Sequence, residues 1–154
     1  MRLTLLAAGT KLPNWMTDGY ADYAARFPPE LKLVLVEIAL GDHKHEVARA
    51  LRDEGERMLK QIARDVRLVT LEVGGKPWSS EQLAAELARW QQDGRDVVFA
   101  IGGPEGLAPE VRQRAEHRWS LGAMTLPHGL ARVLVAEQLY RAQAILKGLP
   151  YHRG

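Results

Sequence analysis

The chain has 154 residues and a formal net charge of +2, and 46% of its residues are hydrophobic. This size and composition predict a single domain over residues 1–154. The sequence contains no cysteine, which excludes disulfides and thiolate chemistry. Its apolar runs are all shorter than the roughly 20 residues that cross a bilayer, so we expect a cytoplasmic protein with no membrane segment.

Strand-like and helix-like patterns alternate along the first half of the chain. Short apolar runs predict strands at Arg2–Ala8 and Leu31–Ala39. Apolar and aromatic residues at helical spacing predict helices at Trp15–Phe27 and His45–Ile62, and two prolines end the first of these helices.

The second half continues the alternation. Apolar, largely β-branched runs predict strands at Arg67–Val73 and Asp96–Gly103, and a strand followed by a loop at Arg118–His128. Apolar periodicity and capping residues predict helices at Ser79–Gly94, Ala108–Ala115 and Ala131–Leu146. Such alternation is typical of a mostly parallel sheet flanked by helices, so we predict an α/β fold, although the strand order does not follow from these patterns.

Three of the predicted strands end in glycine-rich or apolar sequence, namely TLEVGGKPW, AIGGPEG and SLGAMTLPH. Ligands of open α/β sheets bind beyond the carboxyl ends of the strands, and glycine lets a ligand approach the backbone closely. A single GGPEG loop is equally consistent with a tight turn, but three such strand ends favour a ligand site. GGPEG matches neither of the familiar phosphate-binding glycine motifs, and the apolar SLGAMTL segment favours an adenine ring over a triphosphate.

Other patterns carry weaker signals. His43 and His45 could hold a metal with Asp42, but they lack a convincing further ligand, and we expect a solvated loop and no metal site. Glu137 and Arg141 are four residues apart on one predicted helix, which favours an ordinary intrahelical ion pair.

The C-terminal residues offer three kinds of side-chain interaction with a ligand. Tyr151, His152 and Arg153 offer stacking, hydrogen bonding and phosphate contact, and Pro150 stiffens the chain just before them. The last residues of a chain are commonly frayed, however, and the sequence alone favours that simpler interpretation.

Several blocks, in order and over essentially the whole chain, carry a resemblance to one family. They are LAAGTKLPNW, EGERMLKQI, TLEVGGKPWSSEQLAAEL, FAIGGPEGL, MTLPHGLARVLVAEQLYRA and PYHR. Together they resemble the RlmH family of bacterial methyltransferases, of the SPOUT class, which methylate N3 of a pseudouridine in large-subunit ribosomal RNA.

The resemblance implies a SPOUT fold with a C-terminal trefoil knot, a homodimer, and S-adenosylmethionine as cofactor. An excess of apolar residues on the last helix independently favours a two-fold dimer. Transferred by motif, the cofactor contacts would be Leu71, Gly102, Leu121, Gly122, Ala123, Met124, Thr125 and Leu126.

The resemblance also implies a site for ribosomal RNA. We expect Arg132 and Arg153 to position phosphate, Tyr151 and His152 to lie near the base, and His128 or His152 to handle the proton. Three alternatives remain open from sequence: a non-catalytic ribosome-binding or assembly module, a methyltransferase acting on another RNA, and an enzyme acting on a small nucleotide.

Overall fold

The protein is built around one parallel sheet. The computed structural model describes the backbone of residues 1–153 and the side chains of residues 1–151. The strands of this part of the chain are β1 (Leu3–Ala8), β2 (Leu33–Ile38), β3 (Arg67–Lys76), β4 (Val97–Ile101) and β5 (His117–Trp119). They lie in the order β2-β1-β4-β3-β5, and every pairing is parallel. The predicted parallel α/β architecture is confirmed.

Helices follow the strands as the sequence predicts. They are α1 (Asn14–Ala24), α2 (Val47–Lys60), α3 (Ser80–Asp93), α4 (Pro109–Arg114) and α5 (His128–Leu146), with short 3-10 turns at Pro29–Leu31 and Pro150–Arg153. Helix α5 begins ahead of the predicted Ala131 because Pro127 starts it, and the Pro127 carbonyl accepts the Ala131 N–H at 3.0 Å. Among the described helices, none is long and apolar enough to span a membrane.

The largest departure from prediction is the carboxyl end of β3. This strand continues past the predicted Val73 to Lys76, which pairs again with Trp119 after a register shift. The Lys76 carbonyl also accepts the Ser120 N–H at 2.9 Å. The extended strand therefore anchors the start of the 120–127 loop beside the sheet.

The helices cover both faces of the sheet. Helices α1, α3 and α5 pack on one face around Leu5, Phe99 and Trp90, whereas α2 and α4 cover the other face around Leu6 and Val98. The split follows from the alternation of side chains along each strand. The trefoil knot and the single-domain organisation stay predictions from the sequence.

Candidate active site

A cleft lies beyond the carboxyl ends of four neighbouring strands. The register aligns these ends, since Ala7 pairs with Ile101 across β1 and β4, and Leu71 pairs with Trp119 across β3 and β5. The cleft has a volume of ≈ 770 Å³, which lies in the range of small-molecule sites. Its position is the one that open α/β sheets use for ligands.

Most of the residues predicted to contact a cofactor line this cleft. They are Leu71, Gly102, Leu121, Gly122, Met124, Thr125 and Leu126. Ala123 is not among the lining residues, and the Met124 side chain is 82% exposed. The structure thus brings together residues from β3, from the turn after β4 and from the 120–127 loop, while their contact with a cofactor stays a prediction.

Two glycines shape the cleft for different reasons. A Cβ on Gly102 would overlap the carbonyl group of Gly106, so this glycine permits the tight turn after β4, which Gly103 and Gly106 close with an N–H···O bond of 3.1 Å. Gly122 has a φ of 128°, and an added Cβ would meet no atom within 4 Å. At Gly122 the left-handed backbone itself requires glycine.

His128, at the first turn of α5, forms one corner of the cleft. Its Nδ1 lies 2.7 Å from the Gly102 carbonyl oxygen, and its Nε2 accepts the Arg132 Nε–H at 2.9 Å. Burial lowers the pKa of His128, and the charge of Arg132 lowers it further, although the bond to Gly102 opposes both effects. The imidazole is therefore neutral, and both of its nitrogen atoms already have protein partners.

The structure gives Arg132 a different use from the expected phosphate contact. The residue is only 2% exposed, and it donates to Glu37 Oε2 at 2.6 Å and to the Gly9 carbonyl at 2.8 Å, besides its bond to His128. Each nitrogen of the guanidinium has a protein acceptor. In this arrangement Arg132 stabilises the cleft from its buried side through these hydrogen bonds.

One wall of the cleft carries a second charged group. The Glu72 carboxylate accepts hydrogen bonds from Arg118 at 2.8 Å, from Arg112 at 2.7 Å and from the Thr70 hydroxyl at 2.7 Å. Burial alone would raise the pKa of Glu72, but these hydrogen bonds outweigh burial and hold the pKa at about 2. The carboxylate therefore stays ionised at ordinary pH and ties two half-exposed guanidinium groups to β3.

The two histidines of the loop before α2 pair with neighbouring carboxylates. His43 is hydrogen-bonded to the buried Glu54, whose carboxylate also accepts the Gly41 N–H at 2.9 Å. His45 pairs with Asp42 at 2.7 Å. Within the described side chains no three His, Asp or Glu residues converge as metal ligands.

The C-terminal turn packs on the second half of α5. The Tyr151 hydroxyl donates to Glu137 Oε2 at 2.8 Å, and its ring lies edge-on to Tyr140 with centroids 4.8 Å apart. Burial raises the pKa of Tyr151, and its bonds to Tyr23 and Glu137 raise it further, so the phenol stays protonated. The Glu137–Arg141 pair predicted from spacing is present at 2.8 Å.

Tyr151 does not line the cleft of its own chain. Among residues 1–151, the cleft lining ends at Ala131. Glu137 lies nine residues after His128, which corresponds to about 14 Å along the helix axis. The side chains of His152 and Arg153, for which we predicted roles at the RNA site, lie outside the described part of the structure.

Sequence reasoning overlooked two acidic residues of this site, Glu37 and Glu72. Each is an acid near the carboxyl end of a largely apolar segment, LVLVEI for Glu37 and RLVTLEV for Glu72. A charge in such a strand of a parallel sheet is unusual, and that signal was present in the sequence.

The fold and the cleft match a known class of enzyme. A family model described as "Predicted SPOUT methyltransferase" matches residues 1–152, and the chain belongs to this family. Among curated relatives, the "Ribosomal RNA large subunit methyltransferase H" of Pseudomonas fluorescens (strain Pf-5) is 56% identical over 155 residues, covering 99% of this chain and all of that protein. The protein of the same name from Azotobacter vinelandii (strain DJ) is also 56% identical, with the same coverage.

Solved structures support the fold. The Legionella pneumophila methyltransferase Lpg2936, determined with bound SAM, aligns with a TM-score of 0.51 at 11% sequence identity. The alignment covers 93% of this chain and 66% of that one, so this chain spans about two thirds of that structure. At this identity the likeness concerns the fold alone.

Proposed function

We propose that this protein is an S-adenosylmethionine-dependent methyltransferase that modifies N3 of a pseudouridine in large-subunit ribosomal RNA. One observation carries the proposal: a cleft at the sheet's ligand-binding edge is lined by seven of the eight predicted cofactor residues, in a chain 56% identical to ribosomal RNA methyltransferases over their whole length. A ribosomal substrate implies a cytoplasmic enzyme.

The residues of the cleft fit S-adenosylmethionine. Leu71, Leu121 and Leu126 provide apolar surface for an adenine ring, and the 120–127 loop offers backbone polar groups beside the open face of Gly122. The bound cofactor supplies an electrophilic methyl group on a sulfonium. The task of the chain is therefore to bind the cofactor, exclude water and align the acceptor nitrogen.

The acceptor nitrogen must also lose its imide proton. His128 is poorly placed for that step, since its Nε2 already accepts a hydrogen bond from Arg132. Tyr151 is also unsuited as a base, because a phenol whose pKa is raised stays protonated. Of the two histidines predicted for this step, the contacts of His128 favour His152, and the burial of Arg132 leaves Arg153 as the candidate for phosphate.

The position of the tail supports a site built from two chains. Tyr151 is held on the far half of α5, about 14 Å beyond His128 along the axis. We infer that the cleft of one protomer is completed by the C-terminal tail of its partner in a two-fold homodimer.

Two surface features support the dimer. Helix α5 carries apolar side chains on all sides, including the half-buried Val133, Leu134 and Tyr140, which is typical of a helix that is covered in its assembly. Trp15, at the start of α1, is 61% exposed. We propose that α1 and α5 form the interface.

Methyl transfer to different substrates tests the proposal. Purified enzyme with radiolabelled S-adenosylmethionine should label assembled ribosomes strongly and free pseudouridine weakly or not at all. The small net charge of the chain suits a folded ribosomal surface better than naked RNA. Binding to ribosomes without transfer would favour an assembly module, whereas rapid labelling of the free nucleoside would favour a small-nucleotide enzyme.

A further inference from the structure

A continuous chain of hydrogen bonds runs from β2 to the cleft. Glu37 accepts from Arg132 Nη1, Arg132 Nε donates to His128 Nε2, and His128 Nδ1 contacts the Gly102 carbonyl. The second Arg132 terminal nitrogen donates to the Gly9 carbonyl. We call the three side chains Glu37, Arg132 and His128 the relay.

The relay admits a single tautomer of His128. A guanidinium N–H can only donate, so Nε2 must carry the lone pair. A carbonyl oxygen can only accept, so the proton must sit on Nδ1 and point at Gly102. Both partners therefore select the same neutral imidazole.

Glu37 compensates the charge of the buried Arg132. A cation that is 98% removed from solvent requires a counter-charge, and the Glu37 carboxylate at 2.6 Å supplies it. Glu37 itself is about one-third exposed and does not line the cleft. Its influence on the cleft must pass through Arg132.

The groups held by the relay are parts of the cleft. Gly9 and Gly102 follow the ends of β1 and β4, which are adjacent in the sheet, and both glycines line the cleft. Their carbonyl groups are fixed by one guanidinium and one imidazole. The shape of this side of the cleft thus depends on side chains that a bound ligand need not touch.

We propose that Glu37 is a positioning residue for the cofactor site: through Arg132 it fixes His128 as the neutral Nδ1–H tautomer, and so sets the Gly9 and Gly102 carbonyls that shape the cleft. This inference rests on the proposed function, since it takes S-adenosylmethionine as the occupant. It assigns His128 to holding the cleft rather than to accepting the substrate proton.

The test compares Glu37→Gln with a matched control. Glu30→Gln removes a carboxylate that pairs with Lys147 at 3.0 Å on the exposed surface. We expect Glu37→Gln to weaken S-adenosylmethionine binding, measured by calorimetry, by roughly tenfold, because the amide oxygen can still accept from Arg132 but the buried cation loses its counter-charge and the strength of a charge-assisted hydrogen bond. Glu30→Gln should bind as the wild type does.

Nitrogen NMR of the His128 ring supplies a readout that general destabilisation would not change. The wild type should show one neutral tautomer with the proton on Nδ1, and folded Glu37→Gln should show a mixture of tautomers. Unchanged affinity together with a single tautomer in Glu37→Gln would overturn the inference.

A double variant covers the case in which Glu37→Gln is too unstable to study. Glu37→Gln with Arg132→Met removes the buried cation together with its counter-charge, and should recover thermal stability. Its affinity should stay low because the Gly9 carbonyl and His128 Nε2 have lost their donor. Wild-type affinity in the double variant would refute the relay.

Different results would refute the proposed function and the positioning role of Glu37. Wild-type protein that binds S-adenosylmethionine but does not methylate ribosomes would contradict the proposed function. The comparison of cofactor affinity between wild type and Glu37→Gln would still test the relay. Wild-type protein that methylates ribosomes, beside Glu37→Gln of equal affinity, would contradict the relay alone.

Discussion

Removal of residues 150–154 tests whether each active site is built from two chains, as proposed. In a single chain, the Tyr151 contact with Glu137 is about 14 Å along α5 from His128, and the cleft lining among described residues ends at Ala131. The truncated chain should therefore keep its fold, its cleft and its affinity for S-adenosylmethionine. Its methyl transfer to ribosomes should fall by at least about 100-fold, the scale on which misplaced groups affect rate.

A mixed dimer then decides whether the tail acts on its own cleft or on that of its partner. One chain lacks residues 150–154, and the other carries Gly102→Val, whose side chain would collide with the Gly106 carbonyl and distort the turn after β4. Two affinity tags allow the mixed dimer to be purified. If the tail acts in trans, one of its two sites is intact, and we expect about half of the wild-type rate.

Each alternative gives a different result in this assay. A tail that acts on its own cleft leaves both sites of the mixed dimer broken, so an inactive mixed dimer would refute the shared site. Full activity in the homodimer of truncated chains would refute any role for the tail. Loss of cofactor affinity on truncation would show that the tail supports the cleft itself.

Three further predictions follow from the geometry. Burial between Trp78 and Trp90 lowers the pKa of His117, so its contribution to stability is complete above about pH 6.5 and is lost as pH falls toward the lower folded value. His117→Phe should therefore flatten the loss of urea stability between pH 7.5 and pH 5.5, and an unchanged slope would contradict this reasoning. Glu72→Gln should leave Arg112 and Arg118 without their shared carboxylate, so that they repel each other and S-adenosylmethionine binding weakens several-fold in calorimetry. Equal affinity would show that this wall of the cleft does not contribute to cofactor binding. Trp15→Glu should dissociate the proposed dimer at micromolar concentration in sedimentation experiments, with exposed Val47→Glu on α2 as a control that stays dimeric. A stable Trp15→Glu dimer would remove α1 from the interface.

The sequence predicted the elements well because their signals are local. The Ser79 cap of α3 is present, with its hydroxyl accepting the Gln82 N–H at 3.0 Å, and Gly94 ends that helix as expected. The start of β3 at Arg67 was predicted correctly, but its carboxyl end was wrong because pairing with Trp119 outweighs the glycines that normally end a strand. Strand order was beyond reach for the same reason, since it depends on pairings between distant segments.

The residues that line the cleft could be predicted from the glycine-rich strand ends and from the family resemblance. The hydrogen-bond partners of the individual side chains could not. Arg132 was expected to position phosphate, but on α5 it points inward and donates hydrogen bonds to Glu37 and Gly9. Gly102 was expected to admit a ligand; it lines the cleft, and it also permits the tight turn closed by Gly103 and Gly106. The contacts of Arg132 with Glu37 and Gly9 join residues about a hundred positions apart, and no local pattern specifies them.

The central claim is that this cleft supports methyl transfer to one base of the large ribosomal subunit. The most direct measurement reacts ribosomes from a strain lacking the homologous enzyme with wild-type protein and S-adenosylmethionine carrying a deuterated methyl group. Mass spectrometry of the digested RNA then locates the label. The account predicts a deuterated methyl group on N3 of one pseudouridine in large-subunit RNA, and its absence after reaction with the Gly102→Val variant. Label in small-subunit RNA, label on another atom, or no label in ribosomes that the protein binds would contradict it.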